Sequence, residues 1–149
     1  MKNIFSLLLP VIFIGTLQAQ DSSFNFSINH LAISVKDVNR SAEFYKNVLK
    51  LSEITNRSKI EGIRWFSFGD GRELHLISVI KQDVTINKAV HLGLSTNRFD
   101  ELLKNIVALK VPYSDWPGTP NKVNIRADGI RQIFFQDPDG YWIEVNNVQ

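Results

Sequence analysis

Four side chains of metal-ligand type stand at corresponding places in two similar stretches of this chain: His30 and His91 near the start of each stretch, His75 and Glu144 near its end. The pattern uses all three histidines in the sequence. Three imidazoles and a carboxylate suit a borderline divalent ion such as zinc, nickel, manganese, cobalt or iron(II), and they require no cysteine. Four protein donors in an expanded shell leave one or two positions for water or for two neighbouring substrate oxygens.

The elements that must position these residues repeat as well. In the run from Ile28 to Val35, His30, Ala32 and Ser34 alternate with Leu31, Ile33 and Val35, so a strand there has one polar and one apolar face. His91, Gly93 and Ser95 alternate in the same way with Val90, Leu92 and Leu94, and both runs carry His-x-small-x-Ser. An amphipathic stretch follows each. From Val38 to Leu49, Phe44, Tyr45, Val48 and Leu49 recur at helical spacing, with Asp37 or Asn39 available as cap. From Arg98 to Lys110, Phe99, Leu102, Leu103 and Ile106 form the apolar stripe, with Asn97 as the expected cap.

Further strands are expected at 51–57, 63–68 and 73–80 in the first half and at 111–116 in the second. A long loop is expected over 117–128, and then a hairpin of Arg131 to Gln136 and Tyr141 to Asn146 closed by the turn Asp137 to Gly140. Each half therefore reads as strand, helix and three strands, over 28–80 and 88–147, with a short connector between them. The fold class is α+β, with a βαβββ order in each half. In the final strand Trp142, Glu144 and Asn146 share a face, which points Glu144 away from the apolar side. His75 is less clearly placed, because apolar residues occupy both faces of its strand.

The length of 149 residues, 44% hydrophobic and 21% charged, fits one compact unit with a real core. Residues 1–19 differ from the rest: Lys2, the apolar run from Ile4 to Leu17 and the small Ala19 make a secretory signal peptide, with cleavage expected after Ala19. The run contains Pro10 and is short for a span of about 20 residues. The expectation is thus an exported protein, periplasmic or secreted, with no stable membrane association after cleavage. With no cysteine, neither a disulfide nor a lipidated thiol holds or anchors the chain. Basic and acidic side chains nearly balance at 17 and 15, which argues against an electrostatic nucleic-acid binder. Arg64, Arg126, Arg131 and Lys122 are candidate contacts for an anionic substrate, and Trp65, Trp116 and Trp142 are candidate pocket walls.

The runs Asn29 to Val35 with Ser41 to Leu49, and Phe134 to Glu144, resemble the vicinal oxygen chelate superfamily, which includes glyoxalase I, fosfomycin-resistance enzymes, extradiol dioxygenases and bleomycin-binding proteins. The resemblance covers Ile28 to about Asn147. It implies two paired βαβββ modules forming a curved mixed sheet around a cup, that His30, His75, His91 and Glu144 hold one divalent metal ion there, that the partner is a small-molecule substrate, and that the chain forms a homodimer whose sites draw ligands from one chain or from two.

Three readings of function follow from this resemblance. The first is a glyoxalase-like lyase or isomerase acting on a small carbonyl compound, with Glu144 as catalytic base. Glyoxalase I typically has a glutamate where this chain has His75, a departure that makes the site less negative and removes a proton carrier. The second is an extradiol-type oxygenase, in which His30, His91 and Glu144 form the two-histidine, one-carboxylate triad for iron(II) and His75 is an acid or base beside it. The third is a secreted small-molecule binding protein without catalysis.

Overall fold

The computed structural model describes residues 27–80 and 83–148. The expected signal segment lies outside the described residues. Among those described, no helix is long and apolar enough to cross a membrane.

In chain order the elements are β1 (His30–Ser34), α1 (Val38–Asn47), β2 (Ser52–Ile54), β3 (Ile63–Ser67), β4 (Glu73–Ile77), β5 (His91–Ser95), α2 (Phe99–Ala108), β6 (Tyr113–Ser114), β7 (Asn124–Ile125), β8 (Arg131–Gln136) and β9 (Trp142–Asn146). They form two mixed sheets ordered β1-β4-β3-β2 and β5-β9-β8-β6, with the short β7 paired to β8. β1 runs parallel to β4 and β5 parallel to β9, while the remaining pairs are antiparallel. The α+β repeat expected from the sequence is present, as two sheets that do not close on each other. Two local expectations are corrected. The stretch 117–128 is not wholly loop, because Asn124 and Ile125 pair with Gln132 and Arg131. Asn97 does not cap α2: the cap position is Arg98 without a side-chain cap bond, and the Thr96 hydroxyl accepts the Arg98 amide instead.

Helix α1 starts where the sequence says it should, with the Asp37 carboxylate accepting the amides of Asn39 and Arg40. Its buried face, with Ala42, Tyr45 and Val48, meets the apolar faces of both sheets. Ile33, Phe66, Leu74 and Leu76 of the first sheet join Ile133, Phe135, Ile143 and Val145 of the second, and Phe99 and Ile106 of α2, in one core. Burial of this shared apolar surface is the main force holding the halves together.

Directed bonds fix how the halves meet. The Asp137 to Gly140 turn, read from sequence as structural, receives α1: the Tyr45 hydroxyl donates to Asp137 Oδ2 at 2.9 Å, and the Ser41 hydroxyl to Asp139 Oδ2 at 2.6 Å. Asp137 Oδ1 also accepts the amides of Asp139 and Tyr141, and Gly140 takes φ +92° to complete the turn. From the other side, the Asn105 side-chain amide donates to the carbonyls of Asn47 and Val48, which end α1. Because Leu31, Ile33 and Val35 pack toward this interior, alternation sends His30, Ala32 and Ser34 to the opposite face of the first sheet. The same rule turns Trp142, Glu144 and Asn146 outward from the second.

Candidate functional site

The outward face of each sheet carries half of the expected ligand set. On the first sheet, His75 lies opposite Ala32 in the parallel pair and opposite Trp65 in the antiparallel pair. Their rings form a stack: Trp65 to His75 at 4.0 Å, His75 to His30 at 4.4 Å, with the Arg57 guanidinium 4.5 Å from the Trp65 centroid on this column. Glu73, two residues before His75 and on the same face, binds both ends. It accepts a bidentate pair of bonds from Arg57 at 2.8 Å and one from His75 Nε2 at 2.9 Å. The hydrogen bonds from His75 and Arg57 hold the Glu73 carboxyl below the usual carboxylate range.

On the second sheet, Glu144 lies opposite Gly93 and Phe134. His91 Nε2 stands 3.3 Å from Glu144 Oε2, while Glu144 Oε1 accepts from the Asn146 side-chain amide. A Cβ placed on Gly93 would meet nothing within 4 Å, so the space beside Glu144 is open. Phe134 is fully buried yet stands outside the main core, because it faces outward and is roofed by His91 and Trp116 at ring distances of 5.7 and 5.3 Å. The Lys88 ammonium completes this cover, 4.5 Å from the Phe134 centroid and 4.9 Å from that of Trp142, and donates to the carbonyls of Asp115 and Trp116. Burial pulls the Lys88 pKa below the usual lysine value.

The donor chemistry fits a divalent ion. The Lys88 carbonyl can only accept, so His91 Nδ1 carries the proton that bonds to it at 3.0 Å, which leaves the Nε2 lone pair free. His30 is held in the same way, with Nδ1 2.8 Å from Asn29 Oδ1. Two donors of one ion with bonds of about 2.0–2.1 Å stand roughly 3–3.4 Å apart, the separation found between His91 and Glu144. His75 differs from the other two histidines, since its Nε2 is engaged by Glu73. Within one chain the structure does not gather the four residues at a point. They form two pairs, His30 with His75 and His91 with Glu144, and no group of three or more metal-ligand side chains converges among the described residues. A cleft of about 660 Å³ between the edges of β1 and β5 includes His30 and Glu73 but neither His91 nor Glu144.

The basic residues proposed from sequence to meet an anion are engaged elsewhere. Arg64 pairs with Glu53, Arg126 with Asp128, Arg131 with Asp100 and Lys122 with Asp115. Arg64 and Arg131 lie on the helix-facing sides of their strands, opposite Leu76 and Ile125 in register. The cations beside the half-sites are instead Arg57 and Lys88, which sequence reasoning passed over. Glu73 was legible as the residue sharing a strand face with His75; nothing local marks Lys88.

A family model described as Glyoxalase/Bleomycin resistance protein/Dioxygenase superfamily matches residues 27–145. The chain is 26% identical over 129 residues to a protein named Glyoxylase I 4 from Arabidopsis thaliana, covering 81% of this chain and 70% of that one. It is 27% identical over 124 residues to Metallothiol transferase FosB from Lysinibacillus sphaericus (strain C3-41), covering 79% of each. Among solved structures, Oxidase ChaP-H2 superposes with a TM-score of 0.70 at 21% identity, over 85% of this chain and 96% of that one.

Proposed function

From the premise that this chain belongs to the glyoxalase/bleomycin resistance protein/dioxygenase superfamily, we propose that it is an exported, homodimeric metalloenzyme whose site forms between copies. The observation that carries this reading is the split of the ligand set between two outward faces, each on a sheet whose edge strand bears a histidine, β1 with His30 and β5 with His91. An edge strand has unpaired amides and carbonyls along one side. A two-fold arrangement that sets β1 of one copy beside β5 of another brings His30 and His75 of one chain to His91 and Glu144 of the second, twice over.

A bound divalent ion would polarise a substrate carbonyl that presents two adjacent oxygens, and would stabilise the charge that develops when a neighbouring proton leaves. His30 Nε2, His91 Nε2 and Glu144 Oε2 would hold it, with His75 beside them. Glu144 is the residue proposed to take the proton, by loosening toward the open space over Gly93. Trp116, Phe134 and Trp142 on one side and Trp65 on the other would form the aromatic walls of the cup. The reaction is then a proton transfer on a small carbonyl compound, of the lyase or isomerase kind.

A second reading is favoured by one observation. Glu73 engages His75, which leaves two histidines and one carboxylate as the free donors, the set that suits iron(II) and oxygen chemistry. Metal content by plasma mass spectrometry tests both. About one equivalent per chain, lost in His30→Ala and Glu144→Ala, supports the site; iron with oxygen uptake on catechols selects the oxygenase. No metal after reconstitution overturns both readings and leaves a binding protein. Full turnover by metal-loaded Glu144→Gln overturns the role given to that carboxylate.

A further inference from the structure

We infer that Trp116 is the specificity-determining wall of the cup and that the substrate carries a flat, conjugated group that stacks on it. The inference rests on the metal cup described above and adds the class of substrate. Of the three tryptophans, Trp65 lies between Arg57 and His75, and Trp142 lies under Lys88. Lys88 also stands 5.5 Å from the Trp116 centroid, but Trp116 remains 47% exposed in the single chain, beside His91. Its two ring neighbours meet it at steep angles, His91 at 65° and Phe134 at 63°, so neither is stacked on its face.

The loop that displays it is built rather than slack. Asp115, 1% exposed, accepts the amides of Gly118 and Thr119 at 3.0 and 2.7 Å and pairs with Lys122 at 3.0 Å. Lys88 grips the carbonyls of Asp115 and Trp116 at 2.7 and 2.8 Å. Pro117 and Pro120 fix the backbone φ on either side of Gly118, which takes φ +101°, so the segment that follows the indole is restrained. A large aromatic held half in water forgoes the burial it would otherwise gain, and a planar ligand restores that burial. An aliphatic group of equal size covers the indole less well.

Three hydroxamates with the same chelating pair of oxygens and different tails test this on the metal-loaded full chain: benzohydroxamate, cyclohexanecarbohydroxamate and acetohydroxamate. The parent is expected to bind the benzo compound about two- to tenfold more tightly than the cyclohexane one. Trp116→Ala is expected to abolish that preference with metal content unchanged, and Trp116→Phe to keep most of it. Equal weakening of all three compounds, or no change in the ratio, overturns the inference and leaves Trp116 as a cover for Phe134. A parent that takes up no metal overturns the cup itself together with this inference, an outcome distinct from metal uptake without tail discrimination.

Discussion

His75 and Glu144 occupy the same register position in their two sheets: His75 is paired with Ala32, two residues past His30, and Glu144 with Gly93, two residues past His91. Their cross-strand neighbours correspond too, Trp65 beside His75 and Phe134 beside Glu144. One fold position thus holds an imidazole in one half and a carboxylate in the other. Their surroundings diverge, since Glu144 Oε2 faces His91 while His75 is stacked and bonded to Glu73.

That difference sets unequal weights on the proposed ligands. His75→Ala is expected to lower metal affinity by about 10- to 100-fold, the scale typical of a residue supporting a metal site, whereas His91→Ala and Glu144→Ala abolish retention through gel filtration. Competition with a chromophoric chelator measures both. Equal loss in all three variants would make His75 a full ligand.

A site shared between copies predicts complementation. His30→Ala and His91→Ala each damage every site of their own homodimers. Mixed in equal amounts after reversible dissociation, half the dimers are hybrids, and each hybrid has one intact site of two. Metal content is then expected to return to about one quarter of the parent value. No recovery from a mixture shown by mass spectrometry to contain hybrids would place all ligands of a site within one chain.

The contact that docks α1 on the second half carries its own prediction. Tyr45→Phe leaves a carboxylate oxygen of the buried Asp137 without its partner and is expected to cost about 1–3 kcal/mol in urea unfolding. Burial raises the Asp137 pKa above the usual carboxylate value, although the Tyr45 hydroxyl and two backbone amides oppose the rise. The folded state therefore binds this proton more tightly than the unfolded chain. The stability of the parent relative to Asp137→Asn is greatest below the ordinary carboxylate pKa. It falls as pH rises through the window between that value and the raised one, then levels. A difference that grows with pH in that window would reverse the sign and refute the assignment.

Much of this protein was legible before folding, because alternation, helical spacing and turn chemistry are local. The faces of β1 and β9, the cap at Asp37, the tight turn at Asp137 and the correspondence of His30 with His91 all follow from neighbours a few residues apart. Local rules also had limits, as at Asn97, where Thr96 takes the bond expected of the cap.

Tertiary structure decided what distance along the chain hides. Whether the two polar faces meet within one chain depends on which apolar surfaces pack together, and here α1 and α2 lie in a core shared by both sheets, which turns the pairs His30 with His75 and His91 with Glu144 outward. Arg64 and Arg131, picked from sequence, were consumed by Glu53 and Asp100, 11 and 31 residues away, while Lys88 reached an aromatic cover assembled from Trp116, Phe134 and Trp142. Composition names the chemistry a side chain is capable of; long-range packing, through the burial of one face and the exposure of the other, determines where that chemistry is presented.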